Sequence, residues 1–383
     1  MAISIVFSHT LFSGNHTLFS GKQKLFSGTL TQHNLFASRR PLRFKIQMSS
    51  SSVDPLFGMV KAYAPATIAH FGSDFEMLGC ALRGMGNTVT LKIDSDLPAG
   101  ELILPNLPVG LNRLNIPGIA SSLGVYVFIQ PGVPPGRGLG CTAATIAAVA
   151  KAIKEMFGEV WPVEDVITAA QDLGVYRSNI IPALYGDFIG YEHKEGDPYP
   201  WGLRPLHFPS NKSVWFVLAI PNIENPKMKV VLDLHWEKVE SSESIKWYDN
   251  MHAKMMTAVR LGNLEELGFG MSSSMKTEAI LQRFVPAFYS VKAAAKEAGA
   301  LGCCIAGAGP AVVALTDDEV KGQCIGELMV QAFEEDGGVS AVAVVQTLDR
   351  LGARLISRQL LSLMIYIETV VLVLIMIMIK IKC

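Results

Sequence analysis

The chain has 383 residues, 50% of them apolar and 17% charged, with a net charge of −1. That is enough apolar material for one large or two medium domains, and the near-zero charge excludes the global positive field of a nucleic-acid binder. The six cysteines (Cys80, Cys141, Cys303, Cys304, Cys324 and Cys383) form no C-x-x-C pair and read as small core residues in a reducing compartment, not metal ligands.

The first 53 residues differ from the rest. No Asp or Glu precedes Asp54, whereas Lys22, Lys24, Arg39, Arg40, Arg43 and Lys45 do, and Ser and Thr are frequent. An acid-free, basic, Ser-rich leader has the composition of an organelle transit peptide. It repeats Leu-Phe-Ser-Gly at 11–14, 18–21 and 25–28. That is too short for a solenoid, and a disordered leader duplicated by slippage accounts for it equally well. The expected mature start is near Met48–Val53.

Val60–Ala64 and Leu78–Arg83 read as short strands around a turn at Gly72-Ser73-Asp74, with Thr88–Ile93 alternating like a further strand. Pro98 to Pro117 is loop-rich. Gly118–Leu123 leaves room for barely two helical turns before the β-branched, aromatic strand Val125–Ile129.

The most informative stretch follows, GVPPGRGLGCTAATIAAVAKAIKEMF from Gly132 to Phe157. Its first half is a Pro/Gly loop; its second half, Thr142–Phe157, is Ala-rich and free of Gly and Pro, which predicts a helix. Thr142, or Cys141 before it, occupies the expected N-cap. The first N–H groups of a helix have no internal partner and carry its positive dipole end, so a glycine loop feeding a helix start is a natural phosphate cradle. No Gly-Lys-Ser/Thr follows, and Gly136, Gly138 and Gly140 do not match the dinucleotide spacing. On the loop alone, a tight strand-to-helix turn with no ligand is the favoured reading.

Val163–Leu173 reads as a second helix, with Glu164 and Asp165 suiting its dipole. Ile180–Ile189 leads into the second half. There Val214–Ile220 reads as a strand. Trp247–Leu261, Asn263–Phe269, Val285–Ala298 and Val320–Glu334 read as helices. Cys303–Ile305 and Ala311–Leu315 read as strands around a glycine turn, and Ala341–Thr347 as the last good strand. Strands and helices alternate without a parallel-sheet rhythm, so the fold class is α+β. Leu360–Ile379 is twenty residues with one acid, Glu368, closing on Lys380-Ile381-Lys382. As a helix it would span a bilayer, about 30 Å. A membrane anchor, a helix laid on the core and an aberrant coding end are the three readings.

Three ordered stretches resemble a known family. Val133–Ala144 is similar to the phosphate loop of the GHMP small-molecule kinases. Val60–Leu82 (VKAYAPATIAHFGSDFEMLGCAL) and Gly299–Ala314 (GALGCCIAGAGPAVVA) are similar to the first and last motifs of its homoserine kinases, with wording nearest those of plants. The likeness covers roughly Val60 to Ser357. It implies a two-domain fold: a ribosomal-S5-domain-2-like N-terminal domain over 54–200 and a ferredoxin-like C-terminal domain over 201–357, flanked by the leader (1–53) and the apolar tail (358–383). It also implies ATP- and Mg²⁺-dependent phosphorylation of homoserine to O-phospho-L-homoserine, for threonine biosynthesis in the chloroplast stroma. A catalytically impaired binding paralogue and a kinase for another small alcohol are the alternatives. Nucleic acid is not an expected partner; membrane attachment and a homodimer are left open.

Carried over by motif, Pro134, Gly136, Arg137, Gly138, Leu139, Gly140, Cys141, Thr142, Ala143 and Ala144 would hold the nucleotide. Thr142 keeps the hydroxyl of a position that is serine in the family; Cys141 puts a thiol at the other, a poor partner for a hard Mg²⁺. Arg137 stands where the family has serine, and either adds phosphate binding or crowds the loop. No Glu aligns with the family's second Mg²⁺ ligand, which leaves Asp172, with Thr142, as the catalytic and metal candidates. His70, Glu76, Asn179, Arg283, Gly307 and Gly309 occupy or approach substrate positions, and packing between two elements through small residues is the plainer reading of the last two.

Overall fold

The computed structural model describes residues 55–71, 78–94, 96–98, 101–103, 113–115, 124–158, 162–191, 203–223, 242–273, 278 and 281–360. The leader, the 72–77 turn with Glu76, the 118–123 stretch and the apolar tail beyond Leu360 lie outside the described residues. Among the described residues no helix is long and apolar enough to cross a membrane.

The chain opens with β1 (Met59–Ala69) and β2 (Leu78–Asp94), an antiparallel pair, followed by β3 (Glu101–Ile103), β4 (Arg113–Asn115) and β5 (Gly124–Gln130). Helices α1 (Cys141–Phe157), α2 (Val163–Asp172) and α3 (Arg177–Tyr185) come next, then β6 (Phe188–Tyr191), β7 (Leu203–Leu206) and β8 (Trp215–Pro221). Two further helices, α4 (Ser242–Leu261) and α5 (Leu264–Ser272), precede a 3-10 turn at Gln282–Phe284 and α6 (Phe288–Glu297). Strands β9 (Gly302–Ile305) and β10 (Val312–Thr316), helix α7 (Glu319–Glu335), and strands β11 (Ala341–Thr347) and β12 (Arg354–Gln359) complete the described chain.

The first sheet runs β12-β1-β2-β5-β3-β4, with β6 joined to β2 and β7 to β6; the second runs β11-β8-β10-β9. Two expectations need correction. The short strands expected at Leu78–Arg83 and Thr88–Ile93 are one 17-residue strand. It bulges where Pro65 faces Gly86 but Ala66 faces Leu82, leaving Arg83-Gly84-Met85 without β1 partners. The glycines there break the side-chain alternation, but backbone pairing resumes on both sides.

Ala341–Thr347 is also not the last strand. The chain returns to the first sheet as β12, where Gln359 pairs with Met59 and Arg354 with Tyr63. Most of β12 is exposed at the sheet edge, so it carries no clear hydrophobic pattern, and backbone bonds hold it. Both β7 and β12 therefore belong to the first sheet although β7 lies, and β12 begins, within 201–357 in sequence.

Helix α1 lies on the first sheet through a stripe of small residues, Ala143, Ala147, Ala148 and Ala152, all essentially without solvent contact. The second sheet is covered by α6 and α7, which pack through Val291, Ala295, Ile325, Met329 and Phe333. One core runs between the two sheets. Phe71 and Phe188 meet each other and Phe216 of β8, and Phe208 meets Phe188, with ring centroids 5.9–6.2 Å apart. Each such aromatic pair contributes about 0.5–1.5 kcal/mol beyond its buried area. This shared core fixes the position of the seam where the two glycine loops meet.

Candidate active site

The glycine loop begins where β5 ends. Its shape is set by a residue far away in sequence, Asn87 of β2, which is 1% exposed. The Asn87 carboxamide oxygen accepts from the N–H groups of Gly132 and Val133, both at 2.9 Å. Its nitrogen donates to the Cys141 carbonyl at 3.0 Å and to Thr145 Oγ1 at 2.8 Å. One buried amide thus joins the entry of the loop to the first turn of α1. An asparagine inside a strand runs against propensity, the one sequence signal that could have singled it out.

Gly140, in the left-handed region at φ 66°, is the N-cap of α1 and makes no side-chain cap. This corrects the placement of Thr142 or Cys141 there: the helix already begins at Cys141, so Thr142 lies in the first turn with its side chain exposed. Gly140 is required twice over, because a Cβ would also collide with Thr67 Oγ1. Ala144 N–H donates to the Gly140 carbonyl at 2.9 Å, the first bond of the helix ladder. The amides ahead of it are those a helix start leaves for an outside acceptor.

The second glycine motif closes on the first. Ala311 N–H donates to the Arg137 carbonyl at 3.3 Å, and Gly307 N–H donates to the Ala69 carbonyl at 3.1 Å. A Cβ on Gly138 would collide with the Ala306 carbonyl, and one on Gly307 would stand 2.9 Å from the Gly138 carbonyl. Gly309 turns back to donate to Ala306 at 2.8 Å. Close packing of the two loops therefore requires glycine at Gly138 and a small residue at Gly307.

Between the loops and α2–α3 lies a cavity of about 550 Å³. It is lined by Gly136, Arg137, Gly138, Leu139, Gly140, Cys141, Thr142 and Ala143 from the loop and α1, by His70 and Asn179, and by Gly307 with Ala308 from the second loop. His70 is buried, left-handed at φ 62°, and meets the Tyr176 ring edge-on at 5.1 Å. Asn179 Oδ1 accepts from Thr67 Oγ1 at 2.8 Å, which leaves the Asn179 amide nitrogen to face a ligand as a donor.

Five candidates are not brought to the described cavity wall. Asp172 is exposed at the last turn of α2, and its neighbour Gln171 lines the cavity instead. One residue is about 100° of helix, enough to point a carboxylate away. Arg283 is exposed on the 3-10 turn. Ala144 is buried in the core, and Pro134 and Gly309 shape their loops from behind. Thr67 and Ala308, which stand within the quoted motifs, join the site as well, as do Tyr176 and the cavity wall at Gln171–Val175, which lie outside those motifs.

The described lining fits a phosphate chain: bare helix amides, flexible glycines and the Arg137 guanidinium, for which no carboxylate partner occurs among the described residues. It does not form a Mg²⁺ site of its own. Mg²⁺ seeks oxygen ligands at about 2.1 Å, commonly carboxylates together with substrate phosphates. The described lining offers the Thr142 hydroxyl and no carboxylate, and no cluster of three acid, His or Cys groups occurs among the described residues.

Beneath the second loop the support is ionic. Lys292 of α6 donates to Glu278 and to the Ser272 carbonyl at 3.0 Å, and Ser272 Oγ accepts from Cys303 N–H of β9 at 3.0 Å. Burial raises the Glu278 carboxyl pKa, opposed by Lys292. Burial also pushes the Cys303 thiol up to about 12 and raises that of Cys304, so both stay protonated packing groups.

Two family models match the chain: the GHMP kinases N terminal domain over residues 110–187 and the GHMP kinases C terminal over 255–331. A homoserine kinase of Arabidopsis thaliana is 38% identical over 327 residues, covering 79% of this chain and 86% of its own length. The chain belongs to the GHMP kinases. A homoserine kinase of Pyrococcus furiosus is 32% identical over 73% of this chain and 94% of its own length. Among solved structures, homoserine kinase from Cytophaga hutchinsonii superposes with a TM-score of 0.65 at 23% identity, over 78% of this chain and 98% of that one. A galactokinase from Lactococcus lactis, solved with galactose, reaches 0.58 at 15% identity, over 77% and 95%. The architecture is thus the two-domain GHMP kinase fold, and the N-terminal model spans the glycine loop and all three helices that wall the cavity.

Proposed function

We propose that the chain is a homoserine kinase that transfers the γ-phosphoryl group of ATP to the side-chain hydroxyl of L-homoserine, giving O-phospho-L-homoserine and ADP for threonine biosynthesis. One observation carries this reading: the unpartnered amides opening α1 face a cavity of metabolite size, in a chain closely related to plant homoserine kinase.

In the transfer, the homoserine oxygen forms a bond to the γ-phosphorus, the bond from that phosphorus to the bridging oxygen of ADP breaks, and the hydroxyl proton is released. Such a loose transition state asks mainly for positioning and charge neutralisation. The Gly138–Thr142 amides and Arg137 would hold and neutralise the phosphates, and Thr142 offers its hydroxyl beside them. His70, Tyr176 and Asn179 form the wall against which the amino acid would rest. A divalent ion, when bound, would neutralise phosphate charge; it would arrive with the nucleotide, since the described wall lacks a carboxylate. The acid-free leader supports import into the plastid stroma.

The test is homoserine-dependent ADP release by the purified full chain, compared with serine, threonine and galactose. Turnover on homoserine above the others is the expected result, and its absence with every alcohol sinks the proposal. Tight nucleotide binding without turnover would favour the binding-protein alternative, which the carboxylate-free described wall recommends.

A further inference from the structure

A second cavity, of about 570 Å³, shares no lining residue with the first. It owes its character to the bulge in β2. The three residues without β1 partners push Arg83 out of the ladder, and Gly84 at φ 92° permits the turn, with the Gln346 side chain packed where a Cβ would stand. Bulges commonly re-aim a side chain in this way.

Arg83 lines the cavity together with Lys212, Arg350 and Arg354, against the single lining carboxylate of Asp349. That carboxylate is already committed: its oxygens accept from Leu351 N–H at 2.9 Å, Gly352 N–H at 3.0 Å and Arg354 at 2.9 Å. Arg354 is thus paired with Asp349, while Arg350 and Lys212 are held mainly by backbone carbonyls. Arg350 donates to the Phe208 carbonyl at 2.6 Å and the Pro209 carbonyl at 3.3 Å, with the Asp187 carboxylate at a looser 3.8 Å. Lys212 donates to the carbonyls of Leu261 and Gly262 at 2.9 and 3.1 Å. The Arg354 guanidinium lies 4.3 Å from the Tyr63 ring centroid. Among the described residues no carboxylate pairs with Arg83 or Lys212. The hydroxyls of Ser210, Ser213 and Thr347 complete the wall.

Four cations around one lining carboxylate, with hydroxyls between them, are the donor set of an oxyanion site, and arginine forks match phosphate geometry. We infer that this cavity is a second ligand site, separate from the phosphoryl-transfer centre, that takes a small phosphorylated metabolite with its phosphate on Arg83 and Lys212. The volume exceeds what a free phosphate needs and falls within the range of small-molecule pockets, about 300–1,000 Å³. The inference does not depend on the substrate of the first site.

Trp215 lines the cavity and reports on it. The full chain is titrated with inorganic phosphate and with O-phosphoserine, ionic strength being matched with chloride, while tryptophan fluorescence is read. The expected result is a saturable change that is absent in Trp215→Phe and weakened about tenfold or more in Arg83→Ala and in Lys212→Ala. Arg83→Ala should keep the wild-type thermal midpoint, because the side chain is exposed and unpaired. Tighter binding of O-phosphoserine than of phosphate assigns an organic phosphate; equal binding assigns the phosphoryl group alone, and both support a built site. The inference is overturned if phosphate and chloride act alike, if the signal survives in Trp215→Phe, or if Arg137→Ala abolishes the signal while Arg83→Ala leaves it intact.

Discussion

The two glycine loops that meet at the seam look alike in sequence and do different work. The first, Gly132–Gly140, is held by a neutral asparagine and delivers helix amides to open space. The second, Ala306–Pro310, spends its glycines on contact with the first loop and with β1, and the strand feeding it rests on a buried ion pair. The first loop lines the cavity from Gly136 to Gly140, whereas the second reaches it only through Gly307 and Ala308. Two loops with the same composition can therefore differ in what a substitution or a pH change does to them.

The largest separation should come from Lys292→Met. Stranding buried Glu278 costs about 3–5 kcal/mol, read by denaturant unfolding. The sign with pH follows from the raised carboxyl pKa of Glu278. The folded state holds that proton more tightly than the unfolded state, so this group's contribution to stability falls as pH rises from the unfolded to the folded value. Removing Lys292 takes away the opposing cation, so the deficit should be greatest at neutral pH and shrink on acidification.

Gly138→Ala should come next. The residue sits at φ 76°, and its new methyl meets the Ala306 carbonyl, a backbone group that cannot swing aside. A left-handed alanine costs about 1–2 kcal/mol before the collision is counted, and phosphoryl transfer should fall about 100-fold or more because the loop must shift. Asn87→Ala strands the buried Val133 N–H and should cost about 1–3 kcal/mol. Its effect should be flat with pH, unlike that of Lys292→Met; a pH-dependent deficit would erase the contrast between the loops.

The smallest effects on stability should be the most informative about chemistry. Arg137→Ala should leave the unfolding midpoint in place and raise the KM for ATP about tenfold, as expected for a lost charge-assisted phosphate contact. A change in stability instead of KM would mean that this arginine only fills the loop. Thr142→Ala removes an exposed hydroxyl, so stability should change by less than about 0.5 kcal/mol, while kcat falls with little change in KM if the hydroxyl acts in the transition state.

Much of the site was legible before folding because its signals are local. A glycine-rich turn before an alanine-rich run specifies a helix start wherever it occurs, and Arg137 through Ala143 all line the cavity. Asp172 lies outside the described cavity lining while Gln171 lies in it, a difference of helical phase that neighbouring identities do not report. Arg283 had the right charge in the right region, yet the 3-10 turn leaves it exposed outside the described cavity wall.

By itself, the sequence determined the α+β class, the order of three motifs and the glycine-loop start of α1, since each depends on residues within a few positions of one another. Only the tertiary structure decided that β12 joins the first sheet, that Asn87 ties the loop to its helix, that the second glycine loop packs against the first, and that Arg83 of the bulge meets Lys212, Arg350 and Arg354 around another cavity. Those outcomes depend on groups brought together from opposite ends of the chain, where backbone pairing and shared burial, not local preference, choose the partner.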